Sequence, residues 1–372
     1  MKNYSLNRLA KVVSLFVLLA AATQCAVAQH RSFDWQGVER EYMLYTPDSR
    51  SGALPVLFFL HGLGDNIDRL ASMADYSLLA SSYGWNIILP QALTVQNTTM
   101  WNVGFGGNAD DAGFFLALLD SLIDIGQVNP DSVFFTGFSL GGFMTHKMAI
   151  EHGDRITACA PVSGLITYSL ADEVPVAPVR MMHIHGTADD VVGWSGGSAY
   201  FGNIGISVDS VVSFWTGWNG CDPTPDIDSL PDKVADGLRF VRHAYTGGDA
   251  DFQLIEVIGG RHEWYYGTSH DIDYLDFIHK FFLNEATTLG FVPQPALHEE
   301  PQLRLWPNPT GQSLNVCSAS AAEARMFDSK GNEVMHSRLQ PGVNTMSLCS
   351  LPSGTYFLSD GSGKVQRLVV AR

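Results

Sequence analysis

The stretch SVFFTGFSLGGFMTHKMAI, residues 132–150, decides the fold. Its first five residues are apolar or small and predict a short buried strand, and residues 141–151 have the composition of a helix. Between them lies Gly-Phe-Ser-Leu-Gly, and its two glycines lack the side chains that would collide across a sharp turn. A strand, a tight turn and a helix in so few residues indicate one repeat of an α/β architecture.

The flanking sequence repeats this pattern from residue 29 to about residue 283. Apolar runs without polar interruption predict strands buried on both faces, and segments with helical spacing lie between them. We therefore expect a doubly wound, mostly parallel α/β sheet. The predicted strands are 42–45, 56–60, 85–89, 132–136, 179–184 and 252–257, and the predicted helices are 112–125, 141–151 and 274–282.

The two ends of the chain differ from this body. Residues 1–28 combine a basic start, an apolar run at 12–22 and the small-residue sequence Ala26-Val27-Ala28, which predicts a signal peptide cleaved after Ala28. That run is too short to span a bilayer, and the sequence has no longer apolar run. Prolines interrupt residues 285–302, a predicted linker, and residues 303–372 alternate as in a small all-β sandwich. The body, residues 29–284, is predicted to be one large α/β domain.

Composition and charge exclude some classes of function. The chain is 46% hydrophobic and 16% charged, which is typical of a globular protein. Its net charge is −16, and the acidic excess lies in the body because the tail from residue 304 carries seven Lys or Arg and four Asp or Glu. So acidic a body is not expected to bind nucleic acid through phosphates. The charge is compatible with a neutral polymer or a small ester as substrate.

Four cysteines remain after the signal peptide is removed: Cys159, Cys221, Cys317 and Cys349. Export permits disulfides, and three pairings are possible. Cys317 with Cys349 is favoured because both lie in the tail, and free buried thiols are the alternative. Without a CxxC motif or clustered Cys and His residues, we expect no metal ion, and we expect no organic cofactor.

Ser139 is the candidate nucleophile. A Gly-x-Ser-x-Gly turn between strand and helix exposes the serine at its tip, and the backbone N–H of Leu140 is placed to stabilise an oxyanion. The second donor is expected from the loop after an early strand, where LHGLG occupies residues 60–64, and Leu63 N–H is the candidate. His61 lies before the serine in the sequence, so a structural role is expected for it.

The candidate acid and base follow the serine. Strand 179–184 leads into HGTADDVV, residues 185–192, where Asp189 is favoured over Asp190 and His185 is expected to pack in the loop. Strand 252–257 leads into GGRHEW, residues 259–264, where a flexible loop brings His262 over the serine as general base.

Two other histidines compete for the role of base. His270 is the alternative base, and His279 is expected to face solvent from the last helix. The order Ser139, Asp189, His262 is that of α/β-hydrolases.

With these residues assigned, the body resembles the secreted esterases that include polyhydroxybutyrate depolymerases and feruloyl esterases, carbohydrate esterase family 1. The resemblance implies an α/β-hydrolase fold and the triad Ser139, Asp189 and His262. Two departures affect the substrate: Gly193 and Trp194 replace the usual Pro and Tyr, and Leu63 replaces the cysteine of many polymer depolymerases. The matching stretches are 60–62, 101–102, 110–111, 136–142, 161–164, 185–189, 218–221 and 260–264.

Aromatic residues near these motifs bear on the substrate. Trp101, Trp194, Phe201 and Trp264 are candidates to line an aromatic acyl pocket, and core packing is the equal alternative. The resemblance implies a secreted serine esterase that removes feruloyl or acetyl groups from plant polysaccharide. A polyhydroxyalkanoate or other small ester is the alternative substrate. A serine peptidase and an inactive cell-surface binding protein are less favoured, because the chain lacks a propeller domain and retains all three triad residues.

The tail resembles the type A sorting domain of the type IX secretion system. The resemblance implies that the type IX machinery is a partner and that the protein is secreted or reaches the cell surface. A carbohydrate-binding sandwich is the alternative, which the scarcity of aromatic residues disfavours. The matching stretches are 306–309, 327–328, Gly331, 342–344 and 351–357.

Overall fold

The computed structural model of the chain describes residues 29–47, 52–105, 107–266, 269–284, 304–306, 308, 310–318, 321–340, 342–360 and 365–371. The expected signal peptide, residues 1–28, and the expected linker, residues 285–302, lie outside these residues.

One ten-stranded sheet organises the body. In spatial order its strands are β1 (Gln29–Trp35), β2 (Val38–Tyr45), β4 (Asn86–Pro90), β3 (Leu54–Leu60), β7 (Val128–Phe138), β8 (Ala158–Val162), β9 (Arg180–Gly186), β12 (Phe252–Ile258), β11 (Arg239–Tyr245) and β10 (Asp226–Ser229). The six strands from β4 to β12 are parallel, and the outer two on each side are antiparallel. A two-stranded ribbon, β5 (Thr94–Val95) and β6 (Thr98–Thr99), lies beside the sheet.

Helices cover both faces of this sheet. They are α1 (Ile67–Ser72), α2 (Tyr76–Tyr83), α3 (Asp111–Asp124), α4 (Leu140–His152), α5 (Tyr168–Ala171), α6 (Val208–Asn219) and α7 (Tyr274–Phe282), with a 3-10 turn at Gly153–Arg155. All the described helices are too short or too polar to cross a bilayer.

Alternation along β3 explains why both faces are covered. Val56, Phe58 and Leu60 enter a hydrophobic core formed with α3, α4 and α6. Leu57 and Phe59 enter a second core formed with α1, α2 and α7. Successive side chains of a strand point to opposite faces, so a continuous apolar strand needs helices on both sides. The predicted doubly wound, mostly parallel α/β sheet is confirmed.

The tail forms a separate hydrophobic core between two antiparallel sheets. Buried side chains from both sheets, among them Leu314, Met326 and Leu358, contribute to it. The predicted all-β sandwich is therefore confirmed. Its strands are β13 (Arg304–Trp306), β14 (Ser313–Ser318) and β17 (Gly342–Ser347) in one sheet, and β16 (Glu333–Leu339), β15 (Ala322–Asp328), β18 (Gly354–Ser359) and β19 (Val365–Val370) in the other.

The favoured disulfide between Cys317 and Cys349 is wrong. Cys349 is an exposed free thiol, and Cys159 and Cys221 are also free. Strand register gives the reason, since Cys317 lies opposite Val343, six residues before Cys349. Cys349 Sγ instead contacts Gln312 O, five residues before Cys317, so at about 3.4 Å per residue the two cysteines are roughly 17 Å apart, whereas a disulfide needs Cα atoms within about 7 Å.

Candidate active site

The candidate residues meet at the carboxyl ends of four parallel strands. Ser139 follows β7, and the loop with Leu63 follows β3. Asp189 and His262 follow β9 and β12. In open α/β sheets, ligands bind in the crevice outside these strand ends.

A strained backbone turn presents Ser139. The residue has φ 56° and ψ −120°, a backbone conformation that residues other than glycine rarely adopt. A Cβ on Gly141 would collide with the carbonyl oxygen of Leu60, and one on Gly137 would collide with the Gly141 backbone. The glycines therefore allow β3, β7 and the start of α4 to approach each other closely. Ser139 N–H also donates to Val162 O over 2.9 Å, which anchors the turn to β8.

The two expected oxyanion donors border the same cavity as Ser139. The loop after β3 packs so closely that a Cβ on Gly62 would lie 3.4 Å from Ser139 Cβ. Leu140 is the first residue of α4, where backbone N–H groups have no partner within the helix. Within the described part of the chain, neither Leu63 N–H nor Leu140 N–H donates to another group. Both are available to an oxyanion.

Asp189 is held firmly and contacts His262. Its Oδ1 accepts the backbone N–H groups of Val191 and Val192 over 3.0 and 2.8 Å, and its Oδ2 lies 2.8 Å from His262 Nδ1. Burial by itself raises the pKa of Asp189, but the hydrogen bond and charge of His262 outweigh it, so the pKa is below its ordinary value. Asp190 is exposed, and it is Asp189 that faces the histidine.

His262 and Ser139 line the same cavity. The Phe138 ring packs 4.7 Å from the His262 ring, between the turn and the histidine loop. No hydrogen bond joins Ser139 to His262 among the described residues. Such bonds are commonly long without substrate and tighten when it binds.

Two of the other histidines have structural partners. His61 is buried, with Nδ1 2.8 Å from Gly62 O and with Nε2 accepting Ala92 N–H over 3.1 Å. The expected structural role of His61 agrees with these contacts. His270 is 2.9 Å from Asp236 and lies outside the cavity lining, so His262 is the histidine brought to Ser139.

His279 does not face solvent as expected. It stacks on Tyr83 with ring centroids 3.5 Å apart, because α7 packs this side of its surface against α2. Burial lowers the pKa of His279 to about 4.

The cavity beside Ser139 is about 450 Å³ and mostly apolar. The apolar and aromatic residues that line it include Phe138, Leu140, Phe143, Val191, Val192, Phe201 and Ile204. Polar groups lie at Asp65, Arg69 and Thr98, and Tyr200 is largely exposed beside them.

None of the three tryptophans expected at the substrate lines this cavity. Trp101 is fully buried, and its Nε1–H donates to His61 O over 2.8 Å. Trp264 packs in the core against Phe59, with ring centroids 4.6 Å apart. Trp194 is half-buried, and its Nε1–H donates to Asp209 over 3.3 Å. The tryptophans pack the scaffold instead, which corrects that expectation.

Phe201, the fourth aromatic candidate, does line the cavity, together with residues that the sequence did not single out. Tyr200 and Ile204 belong to the same loop, 193–205, and Phe201 packs 5.0 Å from Phe105 of another loop. The five glycines in residues 193–205 could have predicted a loop at this position from the sequence. Among the side chains that the structure describes, no group of three or more His, Cys, Asp or Glu is arranged to hold a metal ion.

The body and the tail of the chain are similar to different known proteins. Residues 304–371 match the family described as secretion system C-terminal sorting domain. The body is 27% identical over 159 residues to a bifunctional acetylxylan esterase/xylanase of Neocallimastix patriciarum, covering 43% of this chain and 23% of that protein. It is 29% identical over 193 residues to a probable feruloyl esterase C of Aspergillus niger, covering 49% of this chain and 68% of the relative.

Among solved structures, an acetyl xylan esterase from Aspergillus awamori is similar, with a TM-score of 0.48 and 17% identity over 63% of this chain and 94% of that one. The chain spans less than a quarter of the length of the Neocallimastix relative. The body is thus similar in sequence to esterases, and the tail to sorting domains.

Proposed function

We propose that this chain is an exported serine hydrolase of carboxylic esters. The observation that carries the proposal is the 2.8 Å contact between His262 and Asp189 beside the cavity that Ser139 also lines. A serine alone is a weak nucleophile, and a neighbouring base oriented by a buried carboxylate activates it.

In the proposed reaction, Ser139 Oγ attacks the ester carbonyl carbon. His262 Nε2 takes the hydroxyl proton and then gives it to the leaving alcohol, which leaves an acyl group on Ser139. Water, activated by the same histidine, hydrolyses this acyl-enzyme and restores the serine. Asp189 keeps the proton of neutral His262 on Nδ1 and stabilises the imidazolium that forms.

The oxyanion of each tetrahedral intermediate is assigned to Leu63 N–H and Leu140 N–H. Both residues line the cavity, and neither N–H donates to another described residue, so both N–H groups can donate to an oxyanion. Donors of this kind each contribute about 3–4 kcal/mol to transition-state stabilisation.

The substrate we propose is an ester of an aromatic acid, such as a feruloyl ester on plant polysaccharide. The apolar cavity of about 450 Å³ is far larger than an acetyl group requires, and Phe143 and Phe201 offer ring surfaces to an aromatic acyl group. The names of the Aspergillus niger and Neocallimastix relatives support an acyl group esterified to plant polysaccharide.

We also propose that the protein is exported, because of the sequences at its two ends. A signal peptide at residues 1–28 takes the chain across the inner membrane, and residues 303–372 direct it through the type IX machinery to the surface or beyond. The match of residues 304–371 to a secretion sorting family supports the second step. The catalytic unit is then residues 29–284, joined to the tail by residues 285–302.

Fluorophosphonate labelling of the purified chain tests the nucleophile. We expect the wild type to be labelled and Ser139→Ala not to be. A wild type that fails to label, or a Ser139→Ala variant that labels equally, contradicts the proposal.

Assays on methyl ferulate, acetylated xylan, a polyhydroxybutyrate film and peptide amides test the substrate. We expect the highest kcat/KM on methyl ferulate, and we expect Phe201→Ala to lower it more for methyl ferulate than for a small acetyl ester. Preference for acetylated xylan or polyester would overturn the aromatic acyl assignment and leave the serine mechanism standing.

A further inference from the structure

Three histidines with no role in the proposed reaction lie buried behind the acid. His183 and His185 are on one face of β9, and His146 on α4 packs against them. All three have 0% exposure. Their rings form a column, with centroids 5.3 Å apart from His146 to His183 and 5.4 Å apart from His183 to His185.

Hydrogen bonds define the proton positions at the far end of this column. Trp215 Nε1–H can only donate, so His146 Nδ1 accepts it over 3.1 Å. A neutral His146 then carries its proton on Nε2 and donates to His183 Nδ1 over 3.2 Å. Burial lowers the pKa of His146 to about 3 and lowers the pKa values of His183 and His185, so all three rings are neutral near pH 7.

His185 is the member of the column that reaches the acid turn. Its Nε2 lies 2.9 Å from Val192 O, so a neutral His185 carries its proton on Nε2 and donates it there. Val192 N–H in turn donates to Asp189 Oδ1 over 2.8 Å. The same Nε2 lies 3.8 Å from Asp189 Oδ2, the oxygen that contacts His262. His185 thus fastens Val192, the residue whose own N–H holds the carboxylate.

A neutral donor suits this position better than a cation. A lysine or arginine beside Asp189 Oδ2 would compete with His262 for the carboxylate charge and would itself be costly to bury. A neutral N–H holds the turn through Val192 O and leaves the charge of Asp189 to the imidazolium of His262. A leucine of similar volume would leave Val192 O unpaired in a buried site, which is unfavourable and frees the turn to move.

We propose that His185 is a positioning residue, which holds Asp189 Oδ2 toward His262 by fastening the 189–192 turn through Val192 O. This inference rests on the proposed function, since it assigns His185 a part in the same triad. His183 is the matched control, because it lies two residues earlier on the same buried face of β9 and makes no hydrogen bond to the turn.

The experiment compares His185→Gln, His185→Leu and His183→Leu in the full chain. Gln keeps an N–H donor near the position of Nε2, and Leu does not. We expect His185→Leu to lower kcat by about 10- to 100-fold with little change in KM, since small misplacements of catalytic groups have effects of that size. His185→Gln should recover most of kcat, and His183→Leu should lower thermal stability without lowering kcat.

A spectroscopic readout separates positioning from general damage. The proton of the His262–Asp189 hydrogen bond should give a low-field resonance in the wild type, His183→Leu and His185→Gln, and it should be lost in His185→Leu. If His185→Leu does not fold, His185→Asn replaces it, because its shorter amide does not reach Val192 O.

Equal loss of kcat in the His183 and His185 variants, or no rescue by glutamine, overturns the positioning role. Absence of fluorophosphonate labelling in the wild type instead overturns the proposed function. The resonance of the His262–Asp189 bond is independent of turnover, so the two failures are distinguishable.

Discussion

His262 Nδ1 and Asp189 Oδ2 lie 2.8 Å apart, although 73 residues separate them in the sequence. The other carboxylate oxygen of Asp189 is occupied by two backbone N–H groups of its own turn. One oxygen therefore fixes the carboxylate and the other orients the imidazole.

Asp189→Asn tests that division. The amide would favour the wrong tautomer of His262, so we expect kcat for a p-nitrophenyl ester to fall about 10⁴-fold with the fold intact. Asp190→Asn is the matched control, since this neighbouring side chain is exposed, and its kcat should equal that of the wild type. A larger loss in Asp190→Asn would transfer the role of acid to Asp190.

His262→Ala and His270→Ala separate the two candidate bases, each of which contacts a carboxylate. We expect His262→Ala to lower kcat by about 10⁴-fold or more, because the serine loses its base. His270→Ala removes only a partly exposed pair with Asp236, so activity should remain and stability should fall by about 1 kcal/mol or less. Steady-state kinetics and urea unfolding measure both effects, and the reverse ranking of kcat would make His270 the base.

Gly141→Ala tests the close packing of the Ser139 turn. The new methyl group would collide with the carbonyl oxygen of Leu60, so β3 and α4 would have to separate. We expect loss of soluble folded protein or a destabilisation above about 3 kcal/mol.

Gly217→Ala is the control for this substitution. Gly217 lies on the exposed face of α6 with no atom within 4 Å of an added Cβ, and the change should stabilise the chain by about 0.5–1 kcal/mol. Urea unfolding measures both variants, and similar free energies of unfolding would contradict the packing argument.

The buried histidine column should make the body sensitive to acid. His146, His183 and His185 have lowered pKa values in the folded state, so below the ordinary value of 6.5 the unfolded chain binds protons that the folded chain does not. The contribution of these histidines to the free energy of unfolding is complete above pH 6.5 and decreases as the pH falls. For His146 the decrease continues down to its folded-state pKa of about 3. Within this window each such histidine lowers the free energy of unfolding by about 1.4 kcal/mol for each unit by which the pH falls. Asp189 and Asp236, with lowered pKa values, add to the loss only at lower pH.

Urea unfolding at neutral pH and at about pH 5 measures this slope. His146→Leu should reduce the slope, and His336→Gln, at a half-exposed surface histidine, should leave it unchanged. A His146→Leu slope equal to that of the wild type would show that the buried rings do not control acid stability.

The strand-to-loop positions of Ser139, Asp189 and His262 followed from the sequence because each comes directly after a long apolar run. The strands β10 and β11 were missed because both lie at one side of the sheet with few buried residues and therefore lack that run. β8 was missed because Pro161 and small residues weaken its pattern. The sequence alone does not distinguish Asp189 from Asp190, because two adjacent aspartates are chemically the same. Which carboxylate points inward is decided by the conformation of the turn.

The substrate pocket was the least predictable part. Trp101 was a reasonable candidate by type and position, but its N–H donates to His61 O and fixes it inside the scaffold. Phe201 reaches the cavity because it belongs to the glycine-rich loop 193–205, which borders the cavity. The path of such a loop depends on contacts distant in sequence, such as the packing of Phe201 on Phe105.

The order of the parallel strands has a consequence for the timing of folding. β12 carries the loop of His262, pairs with β9 and is the last parallel strand in the chain. A chain synthesised or translocated from its N-terminus completes Ser139 and Asp189 before this strand exists. The proposed base therefore reaches the proposed nucleophile only after β12 has paired with β9, so a chain that emerges unfolded would gain the proposed triad only when almost its whole body has emerged.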